Sequence, residues 1–243
     1  MNAEAEPCYP LDWDTKFFGF PIAQVIDPLL SEDRCERIDR WCREKGVKCL
    51  YFRATADDPA TTTLAQRHGF RLVDVRTTLH RKLDDTFKPR AIASRIRRAT
   101  EDDLPALERM ASECHRNTRF FYDGRFPVER CEELYRTWIR NHIRSGRDDV
   151  TIAEAEGEIA GYSASPRPDR GIGRISLMAV APQFRHRGIG DDLVHASLAW
   201  LKDAGATSVG VTTQGWNIAA LRLYQRCGFR TSIVDLYWHK WFD

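Results

Sequence analysis

GRISLMAVAPQFRHRGIG, residues 173–190, sets an apolar run directly before a basic hexapeptide punctuated by glycine. Gly173 to Val180 is apolar at nearly every position, which predicts a strand buried on both faces. Arg185-His186-Arg187-Gly188-Ile189-Gly190 then leads into a helical pattern from about Gly188 to Asp203. Glycines between a strand and a helix start let backbone N–H groups approach a ligand with no Cβ in the way. The helix start adds orphan donors and partial positive charge. The loop therefore reads as an anion cradle suited to a pyrophosphate, with Arg185 and Arg187 adding charge. Taken alone, the hexapeptide also admits a plainer reading, a glycine-rich turn with solvated arginines. Two other nucleotide signatures fail. The dinucleotide fingerprint needs glycine three residues after Gly190, where Leu193 stands, and no Lys-Ser or Lys-Thr follows the glycines as a P-loop demands.

Working outward, Ser208 to Thr212 reads as a strand, Asn217 to Arg226 as a helix and Phe229 to Phe242 as the last strands. Upstream, Ser94 to Ala99 reads as a short strand. Thr100-Glu101-Asp102-Asp103 has the pattern of a helix start, with Leu104, Leu107 and Met110 on one face. A second helix, roughly Pro127 to Ile143, carries Leu134, Trp138, Ile139 and His142 at helical spacing. Val150 to Ala155 and Glu158 to Ala164 flank Glu156-Gly157, a hairpin turn. Before Asp84 the pattern is thinner: two strand-like stretches, a helix around Asp33 to Glu44, a strand at Cys49 to Arg53 and a helix near Thr61 to His68. The alternation predicts an α/β chain with a mixed sheet.

An internal repeat organises this order. Asp33–Leu83 aligns without a gap on Asp192–Phe242, 159 residues on, with twelve identities. LAQRHGFR, from Leu64, meets LYQRCGFR, from Leu223, with six of eight positions identical. Outside that octamer Trp41 meets Trp200, Gly46 meets Gly205, Ala60 meets Ala219, Val75 meets Val234 and His80 meets His239. Where the later copy is preceded by Arg185–Gly190, the earlier has Ile26-Asp27-Pro28-Leu29-Leu30-Ser31, without glycine and with a helix-hostile proline. Ala65 replaces Tyr224, and Asp58 replaces Asn217. Chemistry is expected in the second copy and structure in the first.

Composition narrows the class. The 243 residues are 42% hydrophobic with seven Trp, enough for a real core, and no run approaches the ~18 apolar residues of a membrane span. The acidic Met-Asn-Ala-Glu-Ala-Glu-Pro start lacks the apolar stretch of a secretory signal. A formal charge of +2 gives no chain-wide field for nucleic acid, so any anion site is local. Seven cysteines without a C-x-x-C pair predict reduced, mostly buried thiols in a cytoplasmic protein. No metal-ligand spacing is found, Cys35, Cys42 and Cys49 lacking closer pairing and partner histidines.

From Ile175 to Phe229 the chain resembles the acetyl-CoA core of the GNAT acyltransferase family. The match runs through an apolar strand, the R-x-x-G-x-G loop, a helix and a strand. It ends on the pattern Asn217, Ala220, Tyr224, Gly228 and Phe229. The resemblance implies a GNAT fold over residues 95–243, preceded by a degenerate half-GNAT domain over 1–83 and a linker over 84–94. It implies acetyl-CoA as co-substrate and no metal. The amides of Arg185, His186, Arg187, Gly188, Ile189 and Gly190 would hold the pyrophosphate. The backbone of Met178, Ala179 and Val180 would pair with the pantetheine arm as an added strand, and Asn217 would hydrogen-bond it. Tyr224 would protonate the leaving thiolate, since a phenol with an ordinary pKa near 10 keeps its proton at neutral pH.

The start, Leu11-Asp12-Trp13-Asp14-Thr15-Lys16-Phe17-Phe18-Gly19, resembles that of the bacterial dTDP-4-amino-4,6-dideoxygalactose (dTDP-fucosamine) N-acetyltransferases. So do Thr118 to Phe126 and the run Leu134-Tyr135-x-x-Trp138-Ile139. The resemblance implies a nucleotide-linked amino sugar as the amine acceptor. Physically, Arg119 and Arg125 suit a diphosphate, the aromatics including Tyr122 suit a base or a deoxysugar methyl, and Asp123 suits an amine. A loop whose aromatics merely cap the core is the plainer alternative. His115, His142 and Glu113 are the candidate proton acceptors, with His142 on the apolar stripe of its helix. Cys114 and Cys227 need not be nucleophiles if attack is direct. Other readings stay open here: another small amine such as an aminoglycoside or amino acid, a non-catalytic acyl-CoA-binding module, or a protein- or nucleic-acid-directed acetyltransferase. Neither nucleic acid nor membrane is an expected partner, and a homodimer is compatible with the sequence.

Overall fold

The computed structural model describes residues 6–84 and 87–242. Residues 1–5 of the acidic start, residues 85–86 of the expected linker and residue 243 lie outside the described residues. In chain order the elements are β1 (Cys8–Pro10), α1 (Asp12–Phe18), β2 (Ile22–Val25), α2 (Glu32–Glu44), β3 (Cys49–Thr55), α3 (Pro59–Arg67) and β4 (Arg71–Lys82). Next come β5 (Arg95–Arg98), α4 (Leu104–Cys114), α5 (Arg119–Asp123), α6 (Val128–Arg144), β6 (Asp149–Ala155), β7 (Glu158–Ser165), β8 (Ile172–Ile175) and β9 (Leu177–Val180). The chain ends with α7 (Ile189–Asp203), β10 (Ser208–Gln214), α8 (Ile218–Arg226) and β11 (Arg230–Trp241). Parallel and antiparallel pairs coexist, as a mixed α/β class requires. Among the described residues no helix is long and apolar enough to cross a membrane. All seven cysteines are free, and six of them are buried.

The chain divides into two compact units that are not contiguous in sequence. The first holds the residues up to Arg76, Thr118–Phe126 and the stretch from Val234. In it β1 runs antiparallel to β2, β2 parallel to β3, and β3 antiparallel to β11, from Asp235 opposite Thr55 to Trp241 opposite Cys49. Helix α2 is capped by Ser31, whose side chain accepts the Arg34 N–H, and buries Cys35, Ile38, Trp41 and Cys42 at helical spacing. Ile38, Trp41 and Cys42 form the core with Leu50, Phe52, Phe70 and Trp238, each large side chain contributing roughly 1.5–3 kcal/mol of transfer energy. Helix α1 was not legible as a helix. It has seven residues, too few for a period, and ends on Gly19 in the left-handed region at φ 84°.

The second unit holds Thr77–Asn117 and Pro127–Ile233. Strands β5, β6, β7 and β9 form an antiparallel sheet in that order, while β10 pairs in parallel with β8 and lies beside β4. Leu193, Val194, Leu198 and Leu201 on α7 are buried, and the last three share a core with Leu79, Val209 and Phe229. The β6–β7 turn places Glu156 at φ 55° and Gly157 at φ 81°, the two left-handed residues of a type I′ hairpin. Thr100 and Asp103 form the expected reciprocal cap at the start of the next helix.

Two expectations are corrected. The run Gly173–Val180 is not one strand buried on both faces. It breaks at Ser176, β8 joining β10 and β9 joining β7, and burial alternates. Gly173, Ile175, Leu177 and Ala179 are buried, and the residues between them are exposed or half-buried. The stretch Arg119–Phe126 is not a loop throughout: α5 occupies Arg119–Asp123 and stops at Gly124, φ 77°.

The offset of 159 residues recurs in the coordinates. Helix α3 falls on α8, β3 on β10 and β4 on β11, and α2 and α7 end at equivalent residues. Asp58 caps α3 by accepting the Thr61 N–H at 3.0 Å, and Asn217 caps α8 by accepting the Ala220 N–H at 3.2 Å. In the second unit Leu83 N–H donates to Thr207 C=O at 2.8 Å; in the first, Phe242 N–H donates to Lys48 C=O at 3.0 Å. These are one bond with the two copies exchanged, since 83 matches 242 and 207 matches 48.

Candidate active site

The break at Ser176 decides the local geometry of the second unit. Because β8 stays with β10 and β9 stays with β7, β9 is the terminal strand of its sheet, and among the described residues one side of its backbone has no strand partner there. Gly161 on β7 permits that pairing, since a Cβ there would lie 2.7 Å from Ala179 O. Met178, Ala179 and Val180 lie on β9, and the side chain of Arg185 folds back to donate from Nε to Val180 O at 3.1 Å.

The hexapeptide after β9 has the backbone of an anion cradle. His186 at φ 64° and Gly188 at φ 81° are both left-handed, and Gly188 begins α7 with no side-chain cap. Alternating conformations of this kind gather successive N–H groups into a concavity, and the uncapped helix start leaves its first donors open. Arg185, His186, Arg187 and Gly188 are exposed, whereas Ile189 is a buried anchor. A Cβ on Gly190 would meet Leu223 Cδ2 at 3.2 Å, so a small residue is needed where α7 passes α8. The loop fits a pyrophosphate. Its charge is more restrained than the sequence implies, because Arg187 is paired with Glu156 at 2.5 Å.

Tyr224 lies on α8 in a buried position, and its O–H points at Met178 Sδ, 3.8 Å away. Burial raises its pKa above the ordinary phenol value, so the group is a proton donor at neutral pH. The Asn217 side-chain oxygen is spent on its cap, which leaves its N–H donors for a ligand. Cys227 is buried, and burial pushes its thiol up to about 12, which removes it as a nucleophile at neutral pH. Burial also raises Cys114.

The candidate bases separate. His115 Nε2 is 2.8 Å from Tyr162 Oη, its ring stacks on Tyr135, and burial pushes it down to about 4. It is a neutral, half-buried ring. Glu113 is exposed on α4. His142 has a different setting, with Asp148 on one ring nitrogen and Ser176 on the other. The sequence reading passed over Asp148 and Ser176. The signal for Ser176 was one small polar residue inside an apolar run.

The proposed acceptor residues fall in the first unit. Arg119 lies 4.2 Å over the rings of Tyr51 and Phe120, with a nitrogen 3.1 Å from His239 Nε2. Tyr122 and Arg125 are exposed. Asp123, expected to meet an amine, is instead an interior residue, 3% exposed. It accepts from His239 Nδ1 at 2.6 Å, from Trp241 Nε1 at 3.1 Å and from the Arg125 N–H at 3.1 Å. Burial pushes its carboxyl up, but these bonds outweigh burial and leave it below the usual range. Burial pushes His239 down to about 4, so the ring is neutral, with its proton on Nδ1. Asp123 thus holds α5 to β11.

The sequence model of the Acetyltransferase (GNAT) family matches residues 105–229, more than half of the chain. The chain belongs to the GNAT acetyltransferase family. GNAT enzymes are acetyl-CoA-dependent, and the chain is an N-acetyltransferase of that kind. It is 29% identical over 225 residues to a dTDP-fucosamine acetyltransferase of Escherichia coli O6:H1, covering 90% of this chain and 91% of that one. It is 31% identical to the spore coat polysaccharide biosynthesis protein SpsD of Bacillus subtilis, over 57% of this chain and 48% of the relative. A GCN5-related N-acetyltransferase structure from Sphaerobacter thermophilus shares the GNAT fold with a TM-score of 0.67 at 16% identity, covering 96% of this chain and 76% of that one.

Proposed function

We propose that this GNAT enzyme moves acetyl from acetyl-CoA to the amine of a nucleotide-linked amino-deoxysugar of the dTDP-4-amino-4,6-dideoxyhexose type. The observation that carries the acceptor class is the alignment with the dTDP-fucosamine acetyltransferase, which runs through nine-tenths of both chains. A family-wide likeness would cover the residues 105–229 alone.

In this reading the open side of β9 receives the pantetheine arm along Met178, Ala179 and Val180, with the Asn217 N–H groups beside it. The amides of Arg185–Gly190 bind the pyrophosphate, and Arg185 and His186 lie exposed around it. Attack is direct: the amine bonds to the acetyl carbon, the C–S bond breaks, and Tyr224 gives its proton to the departing sulfur. Residues 1–83 are a degenerate half copy of the same supersecondary unit that lost the loop and the tyrosine. Arg119, Tyr122 and Arg125 serve the nucleotide sugar, and Asp123 supports them from the interior.

The test is acetyl-CoA-dependent release of free thiol with purified protein, over dTDP-, UDP- and GDP-linked amino sugars, aminoglycosides and amino acids. Turnover greatest on a dTDP-4-amino-4,6-dideoxyhexose is expected. Turnover confined to aminoglycosides or amino acids would replace the acceptor class, and coenzyme binding without turnover on any amine would make the chain a binding module.

A further inference from the structure

Direct attack by an amine needs somewhere for the amine's proton to go, and Tyr224, which gives a proton, does not provide it. His142, in the last turn of α6, is the ring whose surroundings answer that need. Its Nδ1 lies 2.8 Å from Asp148 Oδ2, and its Nε2 lies 2.8 Å from Ser176 Oγ. Asp148 is itself fixed. Its Oδ1 accepts the Arg167 N–H at 3.3 Å, and its own N–H donates to Ser145 Oγ at 3.0 Å.

The hydrogen-bond accounting sets the direction of proton flow. An ionised carboxylate only accepts, so Nδ1 carries the ring proton and Nε2 of the neutral ring presents a lone pair to Ser176. Ser176 Oγ has one proton and two neighbours, Nε2 and Ala164 O at 3.0 Å. Ala164 O already accepts the Ser176 N–H at 2.9 Å. With Nδ1 protonated, Nε2 can only accept, so the 2.8 Å contact needs the hydroxyl proton on that side, and Ser176 is exposed where β8 and β9 part. Ser176 stands at the break immediately before β9, two residues ahead of Met178, and neither residue is buried. Met178 is the residue that Tyr224 touches. The proton donor and the hydroxyl are thus both tied to the start of β9, one through Met178 and the other just before Leu177.

We propose that Ser176, His142 and Asp148 are the proton exit for the acceptor amine. As the amine nitrogen bonds to the acetyl carbon and the C–S bond breaks, its N–H proton passes to Ser176 Oγ and the Ser176 hydroxyl proton passes to His142 Nε2. Tyr224 protonates the sulfur. The resulting imidazolium lies against the Asp148 carboxylate, gives its proton to water, and Tyr224 recovers one from water. Ser176 touches the reacting amine; His142 takes the proton through it, and Asp148 is a positioning residue. Two charged groups act on the ring: Asp148 from the turn after α6, which favours the charged form, and Arg174 from β8, which disfavours it. The inference rests on the N-acetyltransferase reading above.

The experiment uses the whole chain, acetyl-CoA and whichever amine of the panel the wild type acetylates fastest. It records kcat against pH, acetyl-CoA affinity by calorimetry and thermal midpoints for Ser176→Ala, Ser176→Thr, His142→Gln and Asp148→Asn. Ser176→Ala and His142→Gln are expected to lose roughly 10²-fold or more in kcat with acetyl-CoA affinity held within about twofold, the range of a lost general base. His142→Gln also loses the acid limb of the wild-type profile, Asp148→Asn lowers kcat in the same direction, and Ser176→Thr keeps most of the activity. A purely structural cluster would move the thermal midpoints and leave the acid limb in place, which overturns the relay, as does an unchanged kcat. Acetylation confined to a simple amine overturns the nucleotide-sugar reading while the same variants still decide the relay. A wild type that acetylates nothing overturns both.

Discussion

The O–H of Tyr224 points at the sulfur of Met178 from 3.8 Å, and Met178 lies on β9, the terminal strand of its sheet. A thioether is a weak acceptor, so this contact holds the phenol in place without consuming its proton. Burial keeps that proton on, by raising the pKa further above neutrality.

Tyr224→Phe removes one oxygen from an otherwise unchanged ring that packs edge-on against Phe229 at 5.8 Å. Turnover in the thiol-release assay is expected to fall by about 10²–10⁴-fold, the range of a lost general acid. Acetyl-CoA affinity by calorimetry stays near the wild-type value, because the phenol acts on the departing sulfur and not on the bound ground state. Weakened binding with normal turnover would assign Tyr224 to binding instead.

Gly188 begins α7 at φ 81°, where nothing lies within 4 Å of a built Cβ. Space is therefore not what selects glycine; conformation is. A β-branched residue is strained there by about 1–3 kcal/mol, and it relaxes by rotating the amides out of the cradle. Gly188→Val is expected to cost at least tenfold in coenzyme A affinity with the circular dichroism spectrum preserved. Wild-type affinity in that variant would remove the loop from the pyrophosphate site.

What could be read in the sequence followed from local rules. The Glu156-Gly157 turn and the Thr100–Asp103 cap are set by residues within a few positions of one another, and the repeat shows because its two copies keep one gap-free register. What could not be read depends on partners far away in the chain. Ser176 sits in an apolar run with nothing to mark that β8 and β9 choose different neighbours. Asp123 resembles a surface acid until His239 and Trp241, 116 and 118 residues on, are found on its oxygens. His142 has the spacing of a core residue, and its polar role rests on Asp148, which adjoins another aspartate and carries no distinguishing pattern.

That same Asp123 cluster yields a stability prediction. Asp123→Ala leaves the N–H groups of His239 and Trp241 without their carboxylate in a site where His239 is fully buried. Breaking such a pair from one side costs about 3 kcal/mol, mostly as unpaired buried donors. Urea unfolding at neutral pH should record a loss of that size. A loss under ~0.5 kcal/mol would mean that Asp123 is free to serve a ligand directly.

His115 supplies a pH dependence whose sign is fixed. Burial pushes the folded ring down to about 4, whereas an unfolded histidine titrates near ~6.5. Between those values the unfolded chain binds a proton that the folded chain refuses, so stability falls as pH drops through the window, by up to about 1.4 kcal/mol per pH unit. His115→Phe keeps the stack on Tyr135, now 5.0 Å between ring centres, and removes the titration. It also strips Tyr162 Oη of a 2.8 Å partner, so the variant should be less stable at pH 7 by about 1–3 kcal/mol. The difference from wild type should then narrow steadily on acidification and vanish or reverse toward about 4, while His239, present in both proteins, cancels. Urea midpoints taken across that range decide it: a difference that stays constant with pH would mean that the folded ring takes up a proton as readily as the unfolded one.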